Sequence, residues 1–133
     1  MLGIILIASI AMKTNATENV TCFMNKIEAV HSTKNKISVR SDHSINITNS
    51  GAANTYRIEY RNQFMNGGFW TDNNRQQYDI KLLEGKSYTE SSILTNDLMF
   101  SKSQSFETQA VTTITMNGKI LKQCLNKNVA IIY

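Results

Sequence analysis

Apolar and polar residues alternate at every second position along several short runs, and no other feature constrains the fold of this chain as strongly. The clearest run is YRIEYR at residues 56–61, where two tyrosines and an isoleucine alternate with charged residues. Alternation or a high content of β-branched residues marks four further runs, at 37–40, 44–48, 78–82 and 106–116. Successive side chains of a β-strand point to opposite faces of the sheet, so this spacing predicts strands with one buried face.

A pair of residues favourable for a tight turn, Asn117-Gly118, separates the run at 106–116 from a final apolar run. A two-residue type I′ turn needs a positive φ at both central positions, which Asn and Gly tolerate best. The pair therefore predicts a β-hairpin. With a regular register, Val111 then lies opposite Cys124.

Asn66-Gly67 predicts a second hairpin by the same reasoning. A two-residue turn at this pair places Phe64 opposite Phe69. Gly68 follows directly, so a longer loop is the alternative.

These signals add up to about seven strands in one domain. The chain is 41% hydrophobic and 18% charged, which is enough apolar material for a core. Strands with one polar face must pack their apolar faces against a second sheet. We therefore expect an all-β protein, a single immunoglobulin-like antiparallel β-sandwich. Only the secondary structure of residues 90–100 is left unassigned, since they fit either a short helical turn or an edge strand.

An uncharged apolar run, LGIILIASIAM, occupies residues 2–12. It is shorter than the ~20 residues that span a bilayer, and it has the length of the apolar region of a secretory signal peptide. Small residues at Thr14 and Ala16 fit a cleavage site after Ala16. We therefore predict a signal peptide at 1–16, a mature domain at 17–133 without a transmembrane span, and export to the periplasm or the extracellular space. A buried first strand or helix is the alternative.

The two cysteines of the chain support the same compartment. Cys22 lies in the first strand-like run and Cys124 in the last. An even number of cysteines in an exported chain predicts a disulfide, here between Cys22 and Cys124. Two alternatives remain open: a pair of free thiols, or a lipid-modified Cys22 shortly after the apolar run.

Two segments resemble bacterial immunoglobulin-like modules of the CARDB kind. INITNSGAANTYRIEY at 45–60 resembles a strand that ends in an Asn-x-Gly turn and is followed by an alternating strand. YDIKLLEGKSYTE at 78–90 resembles a later strand pair, with Leu83, Gly85 and Ser87 in its leucine, glycine and hydroxyl positions. The resemblance implies a sandwich that acts as a spacer or a binding domain.

Residues with catalytic or metal-binding chemistry are few. The only two histidines, His31 and His43, lack further ligands at a spacing that would hold a metal ion, and we expect both at the surface near turns. No phosphate-binding loop, dinucleotide fingerprint or nucleophile elbow occurs. A net charge of +4 is too small to indicate a nucleic-acid binder. We therefore predict no metal, no cofactor and no nucleic-acid partner.

The most distinctive surface candidate is FMNGGFWTDNNR at 64–75, which we interpret as a binding loop through Phe64, Phe69, Trp70 and Arg75. Aromatic rings offer flat contact area, while amides and guanidinium groups add directed hydrogen bonds to a protein or glycan partner. The alternative is that Phe69 or Trp70 closes one end of the core. The sequence thus favours a non-catalytic exported binding or structural module. A small secreted hydrolase whose residues converge only in three dimensions is the competing hypothesis.

Overall fold

The computed structural model describes residues 18–33, 36–99 and 104–132. These residues form seven β-strands: β1 Glu18–Thr33, β2 Lys36–Asn49, β3 Asn54–Asn66, β4 Phe69–Leu82, β5 Lys86–Met99, β6 Gln104–Met116 and β7 Lys119–Ile132. The predicted all-β class is confirmed. The predicted signal peptide at 1–16 lies outside the described residues. Within the part of the chain that is described, no helix has the length and apolar character needed to cross a membrane.

The strands form two antiparallel sheets that pack as a sandwich. One sheet has the order β1-β2-β5, and the other has the order β4-β3-β6-β7. Placing strands 1, 2 and 5 opposite strands 3, 6 and 7 is the immunoglobulin-like arrangement, here with β4 added to the second sheet. The stretch at 90–100, which the sequence left open, belongs to the edge strand β5 as far as Met99.

The hairpin between β6 and β7 forms as predicted, but its register shifts after two residue pairs. Asn117 and Gly118 occupy the turn with φ of 52° and 76°. An irregularity then leaves an extra residue in β7, so that Cys124 pairs with Thr112 and not with Val111. A single bulged residue moves every later pair by one position, and the regular-register prediction was wrong for this reason.

The hairpin between β3 and β4 also forms, with a different turn from the predicted one. Gly67 and Gly68 are its central residues, with φ of 60° and 88°. Asn66 therefore pairs with Phe69, and Phe64 pairs with Thr71 rather than with Phe69. Glycine reaches positive φ without a steric penalty, so Gly-Gly takes the turn in preference to Asn-Gly.

Asn49 joins the two loops at one end of the sandwich. Its buried side-chain amide donates to the carbonyl oxygens of Ala52 (2.9 Å) and Leu82 (3.0 Å). Its side-chain oxygen accepts from the amide of Gly51 at 3.1 Å, while its backbone oxygen accepts from Gly85 at 2.6 Å. An asparagine can satisfy all of these groups because it carries both a donor and an acceptor.

The predicted disulfide is confirmed, since Cys22 and Cys124 are bonded with their Cα atoms 6.2 Å apart. Cys22 lies in β1 and Cys124 in β7, which belong to different sheets. The bond therefore joins the first and last strands across one side of the sandwich. No free cysteine remains among the described residues.

Candidate functional site

The predicted binding segment at 64–75 is a strand hairpin, with only Gly67 and Gly68 outside β3 and β4. Phe69 and Trp70 are adjacent, so they point to opposite faces of the sheet, as expected. Phe69 is 75% exposed near the turn, where it does not close the core. Trp70 is half-buried and pairs with Met65 on the outer face of the four-stranded sheet. We call the outer surface around this ring the Trp70 face.

The indole of Trp70 lies across the strands of this face. The Lys127 ammonium is 5.8 Å from the centre of the ring. Trp70 is in β4 and Lys127 is in β7, at opposite edges of the sheet. The two side chains can meet only if they extend towards each other above β3 and β6. At this distance, the positive charge is attracted by the electron-rich face of the ring.

A row of polar side chains crosses all four strands beside the indole. Asp72, Gln63, Gln109 and Lys127 are cross-strand neighbours in that order. The Gln109 side-chain amide donates to the side-chain oxygen of Gln63 at 2.6 Å, and the Gln63 amide donates to Asp72 at 2.7 Å. Both glutamines are buried although they lie on an outer face. Neighbouring side chains must therefore cover them, and the long side chains of Trp70 and Lys127 extend over this region.

The next rows carry paired charges. The Glu59 carboxylate accepts a hydrogen bond from Nε of Arg75 at 2.8 Å, and the Arg61 guanidinium lies 3.1 Å from it as an ion pair. Arg61 also lies 3.9 Å from Asp72, and Arg57 lies 3.0 Å from Asp79. These arginines therefore neutralise Glu59, Asp72 and Asp79, while Glu107 is exposed on β6 of the same face. Arg75, which we predicted as a binding residue, is on this surface. Phe64 is half-buried on the inner face of the same sheet.

A shallow pocket of about 250 Å³ lies at the far end of the same sheet, lined by Thr55, Arg57, Asp79, Thr115, Asn117 and Gly118. The charged groups in its wall, Arg57 and Asp79, are already paired with each other. The pocket contains no aromatic ring. We therefore regard the Trp70 face as the better binding candidate.

The second polar cluster is inside the sandwich, and its centre is His43. We expected this histidine at the surface, and that prediction was wrong, because His43 is fully buried. Its Nε2 is 2.7 Å from the Ser41 hydroxyl, and its Nδ1 is 2.7 Å from the Thr112 hydroxyl. Burial lowers the pKa of His43 to about 4, although the charge of Asp42 and a hydrogen bond with Asn62 act in the opposite direction. The ring is therefore neutral at physiological pH.

The hydrogen bonds also define which nitrogen of His43 carries the proton. The side-chain NH2 group of Asn62 donates to the Leu94 carbonyl oxygen. The side-chain oxygen of Asn62 therefore faces Ser41. Ser41 donates its single hydroxyl proton to that oxygen. Ser41 must then accept from Nε2 of His43, and Nδ1 accepts from Thr112. A general base would instead accept the serine proton, so this arrangement does not activate Ser41 as a nucleophile.

A third group of polar residues lies where β5 meets the other sheet. The Glu90 carboxylate accepts from the Tyr60 and Tyr88 hydroxyls, each at 2.7 Å. Burial, followed by the hydrogen bond to Glu90, raises the pKa of Tyr60 far above its usual value. Both phenols therefore act as donors that hold the carboxylate.

No metal site emerges from the described residues, which contain no group of three His, Cys, Asp or Glu able to hold an ion. His31 belongs to β1, and its side chain is outside the described set. Sequence reasoning singled out Trp70 as a candidate but did not place Gln63, Gln109 or Lys127 beside it. The charged residues at 57, 59 and 61 point outward, and Gln63 is the next odd-numbered residue. The alternation could therefore have predicted that Gln63 lies on the same outer face. The position of Gln109 depends on the pairing of β6 with β3, and that of Lys127 on the shifted register of β6 and β7.

No protein-family model and no curated protein matches the chain. Solved structures with a similar fold include a candidate β-galactosidase from Bacteroides fragilis, with 12% identity and a TM-score of 0.53 over 84% of this chain and 17% of that one. Another is β-glucuronidase 2 of Bacteroides uniformis, with 10% identity and a TM-score of 0.50 over 82% of this chain and 12% of that one. The chain therefore spans less than a fifth of these structures. At such low identity, the likeness shows the fold alone.

Proposed function

We propose that this chain is a non-catalytic, exported binding module that holds a glycan or protein partner on the Trp70 face. The observation that carries the proposal is the half-buried indole of Trp70 on an outer sheet surface, beside hydrogen-bonded amides and paired charges. A large ring on that surface adds contact area without contributing to the core between the sheets. Tryptophan and arginine are the residues enriched where proteins bind their partners most tightly.

The orientation of the Ser41–His43 hydrogen bond supports a non-catalytic role. These two residues have the spacing of a nucleophile and its base, but both are fully buried. The proton of Ser41 is committed to Asn62. We therefore interpret this cluster as a polar part of the core and not as the site of a hydrolase.

Export is supported by the disulfide and by the apolar run at 2–12. Disulfides persist in oxidising compartments and are rare in the cytosol. We expect chains recovered from the periplasm or medium of a bacterial expression host to begin at Thr17, as measured by N-terminal sequencing. Recovery of a chain that still begins with Met1 in the cytosol would contradict export.

Trp70 is the single tryptophan of the chain, so its fluorescence reports directly on the proposed site. Excitation where tyrosine does not absorb should give an emission change on titration with a soluble glycan that binds. Trp70→Ala should abolish binding measured by calorimetry while leaving the unfolding midpoint nearly unchanged. Phe69→Ala is the matched control, since this exposed neighbour points to the other face.

Unfolding of the Trp70→Ala variant would mean that the ring is mainly structural. Trp70→Phe separates the two roles, because it keeps apolar cover over the glutamines but reduces the flat area. A folded Trp70→Ala variant that binds as well as the unaltered protein would exclude the Trp70 face as the binding site.

A further inference from the structure

We infer that the ligand of the Trp70 face is an acidic glycan, with a sugar ring stacked on Trp70 and its anionic group bound by Lys127. This inference rests on the proposed function and specifies its ligand. The juxtaposition of one indole and one exposed ammonium group, 5.8 Å apart, is the observation from which it starts.

Lys127 differs from the arginines of this face in its partner. Arg57, Arg61 and Arg75 each form an ion pair with a carboxylate. Lys127 forms no ion pair within the described part of the chain, and its ammonium is placed over the indole. On this face Glu59, Asp72 and Asp79 are paired with arginines, while Glu107 is exposed on β6. The charge placed over the indole itself is the positive charge of Lys127. That charge complements an anion.

The contact with Lys127 also indicates what the indole can bind. An ammonium group lies over the ring because the face of the π-system is electron-rich. The C–H groups on one side of a sugar ring carry a partial positive charge and offer a flat surface, so they suit the same face. A sugar that stacks there has to displace Lys127 from its place over the ring.

This displacement distinguishes acidic from neutral sugars. A neutral sugar removes the cation–π contact of Lys127 and offers the ammonium only uncharged hydroxyl acceptors. A sugar with a carboxylate or sulfate next to the stacked ring accepts a charge-assisted hydrogen bond from the same ammonium. Both contacts can then form at once, one with the indole and one with Lys127. An acidic peptide supplies the anion but has no flat sugar-like face to cover the ring.

The test compares three polymers: polygalacturonate as an acidic glycan, dextran as a neutral glycan and polyglutamate as an acidic peptide. Affinities are measured by calorimetry and by Trp70 emission. We expect polygalacturonate to bind at least about tenfold more tightly than the other two, because a hydrogen bond to a charged group contributes about that factor. Added salt should weaken this preference.

Lys127→Gln should lower the affinity for polygalacturonate about tenfold and leave that for dextran unchanged or higher. Lys127→Arg should retain most of the preference. Lys122→Gln is the matched control, since it removes the same charge from an exposed position of the same strand. An equal loss in Lys127→Gln and Lys122→Gln would overturn the specific role of Lys127.

The outcomes separate this inference from the proposed function. If dextran and polygalacturonate bind equally, and Trp70→Ala abolishes both, the binding module stands and the acidic preference is wrong. If polyglutamate binds as tightly as polygalacturonate, the face recognises anions and not sugars. If Trp70→Ala retains full binding of polygalacturonate, the proposed function itself is wrong.

Discussion

Single residues inside the sandwich make its core unusually polar, and His43 is the clearest case. It is fully buried, donates a hydrogen bond from Nε2 to Ser41 and accepts one at Nδ1 from Thr112, which is the pattern of the neutral ring. Its ring is also 4.9 Å from that of Tyr60, which is itself tied to Glu90. The cluster thus connects β2 with β3 and β6 of the opposite sheet, and buried polar groups of this kind tolerate little change in protonation.

Acid should therefore destabilise the fold through His43. The pKa is about 4 in the folded state and about 6.5 in the unfolded state, so the unfolded chain binds the proton more readily. The contribution of neutral His43 to the free energy of unfolding is fully present above about pH 6.5, and it is lost as the pH falls towards 4. Between pH 7 and 5, we expect a loss of about 2 kcal/mol in the free energy of urea unfolding. His43→Gln, which cannot titrate, should show a flatter profile; equal slopes in both proteins would contradict this role.

The sequence signal for buried His43 was present but weak. Residues 40–44 are all polar, so alternation does not reveal which side of β2 faces inward. Only the parity of the flanking residues does so: Val39, Ile45 and Ile47 are buried and share odd numbers with His43. Extending that phase through the polar residues would have placed His43 in the core.

At the scale of elements, turn chemistry was predictable and strand register was not. Asn117-Gly118 forms the expected turn, but the extra residue in β7 carries no signal of its own in the sequence. That bulge is nevertheless what brings Lys127 opposite Gln109. The Trp70 face could therefore be located from the sequence only in its β3–β4 half, because its other half depends on an irregularity in pairing.

The β6–β7 turn gives a direct test of its backbone conformation. Gly118 has a φ of 76°, and an added methyl group would meet no atom within 4 Å. Gly118→Ala should therefore cost about 1–2 kcal/mol in urea unfolding, through backbone strain alone. Asn117→Gly, at a position that already has a φ of 52°, is the control and should change stability much less, because glycine adopts a positive φ without steric strain. An unchanged free energy of unfolding in the Gly118→Ala variant would contradict the positive φ of Gly118 in this turn.

At the scale of the whole molecule, the disulfide joins the two chain ends of the described sandwich and its two sheets. It links residues that are 102 positions apart, so it restricts nearly the whole unfolded chain. The double substitution Cys22→Ala/Cys124→Ala should lower the free energy of unfolding by about 2–5 kcal/mol. Mild reduction of the unaltered protein should lower its thermal midpoint in the same direction. An unchanged thermal midpoint after verified reduction would show that packing of the two sheets stabilises the fold without the disulfide.

The two outer surfaces of the sandwich are separated by the thickness of both sheets. A ligand bound on the Trp70 face therefore does not contact the outer face of β1, β2 and β5. Backbone amide chemical shifts, measured during titration with a short oligogalacturonate, test the central claim most directly. We predict changes concentrated around Trp70, Asp72, Gln109 and Lys127, with the β1-β2-β5 sheet unaffected. Changes centred on that sheet, or on the pocket beside Asn117, would contradict the assignment of the Trp70 face as the binding surface.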